Sequence, residues 1–247
     1  MYFRGCMKAI VLILTLCAAA VAQEYPRWFL QQDQLPCRPN VVMVMRAPSL
    51  YKDSAVALAF RTGCELLAKY TNVRISGGQT FWTTEAGVHS MGAHYTEVFD
   101  SSLTDQFQSS LKIIAAFVDK NKTIVLAGDS SACVLNDELQ SSVRMETLPQ
   151  PGWVEKLPVV TGYYYGVGSS EEYFYEVSSW QRAEQNAFMS LARTTHSKVV
   201  SLQKKSAIES QDLFNEDVDV QLKNVEIIAR WKDLQKKIFY VLARTKQ

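Results

Sequence analysis

The chain is poor in the residues and motifs on which most enzymes depend. It contains 3 histidines in 247 residues, and none of its serines lies in a Gly-x-Ser-x-Gly motif. Gly166-Val167-Gly168 lacks the third glycine of a dinucleotide-binding loop, so we interpret it as a tight turn at the end of a strand, where glycine tolerates positive φ. The sequence therefore predicts a protein that is not an enzyme and that has no cofactor.

Strong charge and long apolar runs are also missing. The formal net charge is +1, so no overall field attracts nucleic acid or an anionic membrane. The apolar stretch over residues 9–16 is too short to span a bilayer. We therefore expect neither a nucleic-acid partner nor a spanning segment.

The first 22 residues have the pattern of a secretory signal. Lys8 precedes the apolar stretch, and Ala20-Val21-Ala22 is a small-x-small cleavage site. Cys17 follows Leu16 rather than the small residue that a lipoprotein signal requires, so we do not expect lipid at Cys17. The predicted location is the periplasm, the outer membrane or the cell surface.

Cysteine is scarce after this segment, where only Cys37, Cys64 and Cys133 remain. An odd number in an exported chain is typical of one disulfide and one buried thiol. Cys64 lies in an apolar helical stretch, whereas Cys37 and Cys133 lie in polar segments that flank the first half of the chain. Cys37–Cys133 is the predicted disulfide, and three separate thiols are the alternative.

The chain resembles itself, with residues 26–128 aligning with residues 151–244. Pro26-Arg27-Trp28 matches Pro151-Gly152-Trp153, and Ile113-Ile114-Ala115-Ala116-Phe117 matches Ile227-Ile228-Ala229-Arg230-Trp231. We predict an α+β fold of two tandem homologous modules, each a helix packed on a small antiparallel sheet. The first module is residues 23–128 and the second is residues 150–247, with a linker over 129–149. About 100 residues suffice for a modest core in each.

Each module is predicted to run strand, helix, strand and final hairpin. In the first module we expect strands over 41–45 and 73–76, a helix over 52–70 capped by Ser49 or Asp53, and a hairpin of 105–119 with 123–127. In the second module we expect a strand over 159–166, a helix over 178–203 opened by a capping box of Ser178 and Gln181, and a hairpin of 217–232 with 237–243.

The two helices share an apolar stripe at helical spacing. Its centre is a pair of small residues four apart, Ala59 and Gly63 in the first module and Ala183 and Ala187 in the second. Small residues let a helix backbone lie close to a sheet. The full stripes are Val56, Ala59, Gly63, Leu67 and Tyr70, and Trp180, Ala183, Ala187, Leu191 and Thr194.

The second module also contains a recognisable order of motifs. Tyr164-Tyr165-Gly166-Val167-Gly168-Ser169 is followed by the helix and by a hairpin that ends in Tyr240-Val241-Leu242-Ala243. This order resembles the LPP-20-like lipoprotein family, named after a Helicobacter surface lipoprotein and related to a domain of flagellar assembly protein T. The resemblance implies a helix on an antiparallel sheet, an envelope location and a structural or binding role without catalytic residues. The first module has Arg46-Ala47-Pro48 in place of the glycines.

Two segments differ between the modules and are the candidates for function. Residues 83–96 form a longer loop in the first module and include His89 and His94, whose spacing puts them on no common helix or strand face. We expect loop histidines there and no metal site. The second module has an aromatic insertion, and its candidate partner-binding residues are Tyr163, Tyr165, Tyr173, Phe174, Tyr175 and Trp180.

These observations predict an exported bacterial envelope protein with a structural or interaction role. Its partners would be other envelope proteins or further copies of itself. The alternative is a surface protein that binds a ligand or glycan through the aromatic insertion, and core packing is the other explanation for the same aromatic residues. A third hypothesis, an enzyme, requires convergent polar groups between the modules.

Overall fold

The computed structural model describes residues 23–37, 42–46, 51–84, 87–128, 133–203 and 218–247. The predicted signal and Ser49 lie outside these residues. The fold is α+β, with helices packed on small antiparallel sheets, as predicted.

The elements follow the predicted order, with additions in the first module and between the modules. The first module contains β1 (Glu24–Pro26), α1 (Arg27–Leu30), β2 (Val42–Arg46), α2 (Lys52–Thr71), β3 (Asn72–Thr84), β4 (Gly87–Phe99), α3 (Leu103–Ser110), β5 (Lys112–Val118) and β6 (Thr123–Gly128). Then come α4 (Asp137–Gln140) and β7 (Ser142–Arg144). The second module contains β8 (Tyr163–Glu171), α5 (Glu176–Gln203), β9 (Val218–Lys223), β10 (Glu226–Asp233) and β11 (Ile238–Lys246). Short 3-10 turns lie at Gln32–Gln34, Met145–Thr147 and Gly152–Val154.

The two modules have sheets of the same topology. The strand orders are β2-β6-β5 and β8-β11-β10, so within each of these two sheets the first strand in the chain pairs with the last. The register shifts between Ile113 and Ala115 in β5 and between Ile227 and Ala229 in β10, which the sequence alignment pairs. This shared bulge supports the prediction that the modules are copies of one another.

The final hairpins also turn in the same way. The Asp119 carboxylate accepts hydrogen bonds from the backbone N–H groups of Asn121 and Lys122 at 2.6 and 2.8 Å. The Asp233 carboxylate accepts equivalent bonds from Gln235 and Lys236, both at 2.9 Å. An aspartate that bonds the backbone ahead of it is a stable way to reverse the chain.

A third sheet joins the modules edge to edge. Its order is β4-β3-β9, so a strand of the second module pairs with a strand of the first. The register runs antiparallel from Asn72 opposite Lys223 to Gly77 opposite Val218. Strands β3 and β9 both follow the long helix of their module. One buried core extends across the junction, and its largest members include Tyr25, Phe29, Phe188, Phe239, Ile75, Ile124 and Leu222.

The segment between the modules is largely folded. Strand β7 pairs with β1 antiparallel, from Glu24 opposite Arg144 to Pro26 opposite Ser142. Leu139 and Met145 are buried in the main core. Within the predicted linker, residues 133–148 therefore pack onto the start of the chain.

Both helical stripes pack as predicted, with one difference at the N-termini. Ala59, Gly63, Leu67 and Tyr70 are buried on α2, and Trp180, Ala183, Ala187 and Leu191 are buried on α5; Val56 and Thr194 are half-buried. Helix α2 begins after Tyr51, with no side-chain cap, and Asp53 lies in its first turn. Helix α5 begins at Glu176, so the predicted capping box of Ser178 and Gln181 is wrong, because both residues are already helical.

Several strand boundaries were predicted wrongly. The strand predicted over 73–76 is longer in the structure, where β3 has 13 residues. Gly77 and Gly78 pair with Tyr95 and His94 of β4 instead of ending the strand. A Cβ atom on Gly77 would lie 2.5 Å from the His94 carbonyl oxygen, so glycine permits close pairing there. The predicted loop over 83–96 is mostly part of this β3–β4 hairpin.

The first arms of the two predicted hairpins and the first strand of the second module also differ from the prediction. Residues 103–110 are the helix α3, which follows a turn in which the Asp100 carboxylate accepts from the Ser102 backbone N–H at 2.9 Å. The arm over 217–232 is two strands, because Asn224 adopts a positive φ of 49° and its N–H donates to the Thr71 carbonyl oxygen. Strand β8 begins at Tyr163, four residues later than predicted, and extends past the glycines to Glu171.

The two glycines of β8 serve close packing rather than a turn. Neither has a positive φ, and both lie within the strand under α5. A Cβ atom on Gly166 would lie 2.5 Å from the Ala187 carbonyl oxygen and from the Leu191 nitrogen. One on Gly168 would overlap the backbone of Ala183 and Ala187. The small residues of the helix and the glycines of the strand therefore form one contact.

We predict that Gly168→Ala destabilises the protein by roughly 1–3 kcal/mol, because the added methyl group meets helix backbone that cannot move aside. Gly152→Ala is the matched control, since a Cβ atom there meets nothing within 4 Å. Its free energy of unfolding should stay within about 0.5 kcal/mol of wild type. Denaturant unfolding measures both, and equal stabilities would contradict the packing argument.

Candidate functional site

The structure separates the predicted aromatic site into a buried part and an exposed part. Trp180 and Tyr165 are buried at 3% and 7% exposure, and Tyr163 is half-buried. Tyr173, Phe174 and Tyr175 are exposed by 50%, 94% and 60%. The core therefore holds Trp180 and Tyr165, and only the three consecutive residues 173–175, hereafter the aromatic tip, offer a broad surface to a partner.

The aromatic tip is attached to the start of α5. The Tyr173 backbone N–H donates to the buried Ser179 hydroxyl at 2.8 Å, and the Ser178 N–H donates to the Tyr175 carbonyl oxygen at 3.0 Å. The Phe174 and Tyr175 rings meet edge to face, with centroids 4.9 Å apart. These contacts hold the backbone of the tip while its rings project into solvent.

Trp180 anchors the N-terminal segment to the second module. Its ring packs edge-on against Phe29 at 5.6 Å, Phe239 at 4.8 Å and Tyr25 at 6.0 Å between centroids. Phe29 and Tyr25 come from the first module, and Phe239 comes from β11. Edge-to-face aromatic packing of this kind adds about 0.5–1.5 kcal/mol per pair beyond the burial of area.

Glu176 gathers polar groups at the rim of this cluster. Its carboxylate accepts hydrogen bonds from the Tyr25 hydroxyl, from the Trp180 indole N–H at 3.2 Å and from the Lys122 ammonium at 3.4 Å. Burial raises the pKa of Tyr25 well above its ordinary value, and the neighbouring Glu176 charge raises it further. Tyr25 therefore stays a neutral hydrogen-bond donor across the physiological pH range.

A second polar cluster lies between the two long helices and β10. The Tyr70 hydroxyl donates to Glu184 at 2.7 Å, and the Arg230 guanidinium contacts the other Glu184 oxygen at 3.5 Å and the Phe29 carbonyl oxygen at 3.3 Å. Burial lowers the pKa of Arg230, while the Glu184 charge opposes that shift. Burial also raises the pKa of Tyr70 well above its ordinary value. These groups contact each other and hold the module junction together.

Lys232 and Glu172 form a third pair, beside the base of the aromatic tip. The Lys232 ammonium donates to Glu172 at 2.7 Å and to the Gln23 side-chain oxygen at 2.8 Å, and Lys232 is almost completely buried. The hydrogen bond from Lys232 lowers the pKa of Glu172, and the charges of Lys232 and Lys237 contribute. This pair ties the first described residue to the second module.

The cysteines are arranged as predicted. Cys37 and Cys133 form a disulfide with Cα atoms 4.9 Å apart, and Cys64 is a buried free thiol. Burial raises the pKa of Cys64 to about 11, with a smaller contribution from Glu65, so this thiol is protonated at neutral pH. A protonated buried thiol is a poor nucleophile.

His94 is exposed on β4, where its backbone pairs with Gly78. Within the part of the chain that the structure describes, no group of three or more His, Cys, Asp or Glu side chains could hold a metal ion. The helices of this part also include none with the length and apolarity to cross a bilayer.

We predict that Glu172→Gln makes the stability of the protein less dependent on pH. Because the folded pKa of Glu172 is lowered, its contribution is present above the unfolded value of about 4.3 and is lost as the pH falls through the folded value. At pH 7 the variant should be about 1 kcal/mol less stable than wild type, and the difference should vanish at pH values below the folded pKa, where Glu172 is protonated.

Glu171→Gln is the control, because it removes the same charge one residue away, whereas the ion pairs with Lys232 and Lys237 are formed by Glu172. Thermal unfolding between pH 2 and 8 compares the three proteins. A constant difference between wild type and Glu172→Gln at every pH would contradict the role of the Glu172 charge.

The comparison with known families agrees with the geometry of the second module. Residues 151–246 match the model of a family described as LPP20 lipoprotein, and this range includes β8, α5 and the final hairpin. No curated protein and no solved structure shows a significant match to the chain. The match does not extend to the first module, whose relation to the family stays a prediction. Residues 151–246 therefore carry an LPP20 lipoprotein family domain, and a lipoprotein family implies a location at the bacterial envelope.

Proposed function

We propose that the protein is a non-enzymatic interaction module of the bacterial envelope that contacts other envelope proteins through its aromatic tip. The observation that carries this proposal is the exposure of three consecutive aromatic side chains at 173–175. The chain would reach the envelope by the predicted signal, without lipid at Cys17. Its first module would be a diverged copy of the LPP20 domain.

The composition of the tip suits a binding surface. Aromatic side chains bury much area at low entropic cost and are enriched among the residues that dominate binding energy. Phe174 is nearly fully exposed. Burial of its apolar surface by a partner would therefore be favourable in free energy. Exposed apolar clusters on a stable domain are typical of interaction sites.

The support beneath the tip favours binding with little further ordering. Trp180 fixes α5 in the core, and the Ser179 hydroxyl holds the Tyr173 backbone six residues earlier. A backbone that is already held loses less conformational entropy when a partner binds. The tip can therefore act as a rigid contact rather than a loose loop.

The polar groups near the module junction support a structural role. Tyr25, Tyr70 and Arg230 have shifted pKa values, which often mark catalytic sites. Each of them is buried and paired with a carboxylate of α5. Ion pairs that hold a fold together shift pKa values in the same way. We therefore assign these groups to the junction and not to a reaction.

A second candidate is glycan binding at the same surface. Tyr173 and Tyr175 combine exposed ring faces with hydroxyl groups, and the acidic side chain of Glu171 is exposed nearby in sequence. Stacked aromatic faces and polar groups together are what a sugar ring requires. This alternative uses the same residues, so only the identity of the bound molecule separates it from a protein partner.

We predict that replacing the tip by serines, Tyr173→Ser with Phe174→Ser and Tyr175→Ser, leaves the midpoint of thermal unfolding nearly unchanged. Crosslinking to other proteins in the native envelope should fall about tenfold or more, as expected for loss of dominant contact residues. Leu58→Ser, which changes an exposed apolar residue on α2, is the control and should crosslink like wild type.

Quantitative mass spectrometry of the crosslinked envelope measures the effect. Unchanged crosslinks in the serine variant would overturn the proposal for this surface. Unchanged protein crosslinks together with lost binding to purified envelope polysaccharide would favour the glycan candidate instead.

A further inference from the structure

The first module has an open apolar sheet edge. Strand β5 is the outer strand of its sheet and, among the described residues, pairs with β6 alone. Its sequence Lys-Ile-Ile-Ala-Ala-Phe-Val contains a single charge, and Ile113 and Ala116 are exposed. Unpaired edges with few charges and no proline are templates on which another strand can add.

A groove lined mainly by apolar residue types runs beside this edge. Its volume is about 450 Å³, and it lies next to the disulfide. Strand addition is commonly combined with grooves of this kind, because the backbone supplies hydrogen bonds and the groove accepts side chains. The groove is lined in part by Pro26, Trp28, Ile114, Phe117, Cys133 and Leu135.

In the second module the corresponding outer strand, β10, is covered by another segment of the chain. Gln31 forms an antiparallel bridge with Ala229 of β10, and the Arg230 guanidinium donates to the Phe29 carbonyl oxygen. Residues 27–34 thereby cover β10, where Ile227, Ile228 and Trp231 are buried. Since β5 and β10 share the same bulge, the bulge does not prevent a covering segment from docking.

The segment of the second module that aligns with this covering segment does not cover a sheet edge of the first module. The sequence alignment pairs Pro26-Arg27-Trp28 with Pro151-Gly152-Trp153, so residues 152–159 correspond to the segment that covers β10. Trp153 packs instead on Tyr165, Ile228 and Leu242 of its own module. The residues that follow leave apolar side chains in solvent, at exposures of 38% for Leu157, 94% for Val159 and 49% for Val160.

We propose that β5 of one molecule binds residues 157–160 of a second copy of this chain. Pro158 has no backbone N–H to donate, so its backbone nitrogen would face away from β5. The direction would be antiparallel, as in the bridge between Gln31 and Ala229. That direction brings Glu155 and Lys156 toward the end of β5, where Asp119 and Lys120 offer opposite charges. The exposed valines would enter the groove.

This contact joins two different surfaces, so a bound pair keeps one unused surface of each kind, one on each molecule. Such a heterologous interface builds a linear assembly or a closed ring rather than a symmetric dimer. The inference uses neither the aromatic tip nor the envelope partners proposed above. Failure of either proposal would leave the other unaffected.

The test uses sedimentation velocity of the purified chain, with its disulfide intact, over a series of concentrations. Wild type should form species larger than a monomer as the concentration rises. Ala116→Lys on the edge and Val159→Lys on the segment should each weaken association about tenfold or more. Val98→Lys is the control, because it puts the same charge on an exposed valine of another edge strand, β4.

A mixture of the two variants separates this proposal from its alternatives. Each variant retains one intact surface, so the 1:1 mixture should form a heterodimer that grows no further. Loss of association in Ala116→Lys but not in Val159→Lys would indicate pairing between two β5 strands and would overturn the proposal. A wild-type chain that stays monomeric while Ala116→Lys loses envelope crosslinks would indicate a different protein on β5 and would also overturn it. The serine variant of the aromatic tip should associate like wild type.

Discussion

Trp180 lies where three parts of the chain meet, and the arrangement of the modules depends on its burial. Its ring contacts Tyr25 and Phe29 from the start of the chain and Phe239 from the last strand. These contacts place residues 27–34 along β10, which closes the edge of the second sheet. They also bring β1 to the position where β7 pairs with it. Losing the ring would remove the common support of the N-terminal segment, the intermodule segment and the second sheet.

Buried charges determine how the modules fit together. Three cations each lie over an aromatic ring and contact a carboxylate of the second module: Lys122 over Tyr25 with Glu176, Arg230 over Phe29 with Glu184, and Lys232 over Phe239 with Glu172. A buried ion pair contributes little net stability, because desolvation offsets the attraction. Removing one partner, however, leaves an uncompensated charge. The Lys122 and Arg230 contacts, together with the hydrogen bond from Lys232 to Gln23, therefore penalise any other placement of the N-terminal segment.

The differences between the modules carry the functional proposals. The shared bulge, turn and strand order are scaffold. In the second module the start of α5 bears an aromatic tip, and the sheet edge is covered. In the first module no described residue pairs with the equivalent edge, and a groove lies beside it. The extra hairpin strand β4 widens the sheet that joins the modules. The second module thus has an exposed aromatic tip, and the first module has a strand edge that pairs with no other described strand.

The sequence by itself determined the α+β class, the two long helices with their apolar stripes and the order of the second module, because local periodicity and composition encode these features. For the cysteines it favoured Cys37–Cys133, and the structure decided between that disulfide and three separate thiols. Only the tertiary structure decided the use of each surface. Trp180 is buried while residues 173–175 are exposed, although all four are aromatic, because Tyr25 and Phe29 pack on one and nothing described packs over the others. Distant contacts also decided that the glycines of β8 lie under a helix and that β3 pairs with β9. Contacts between residues far apart in the chain leave no periodic signal near either partner.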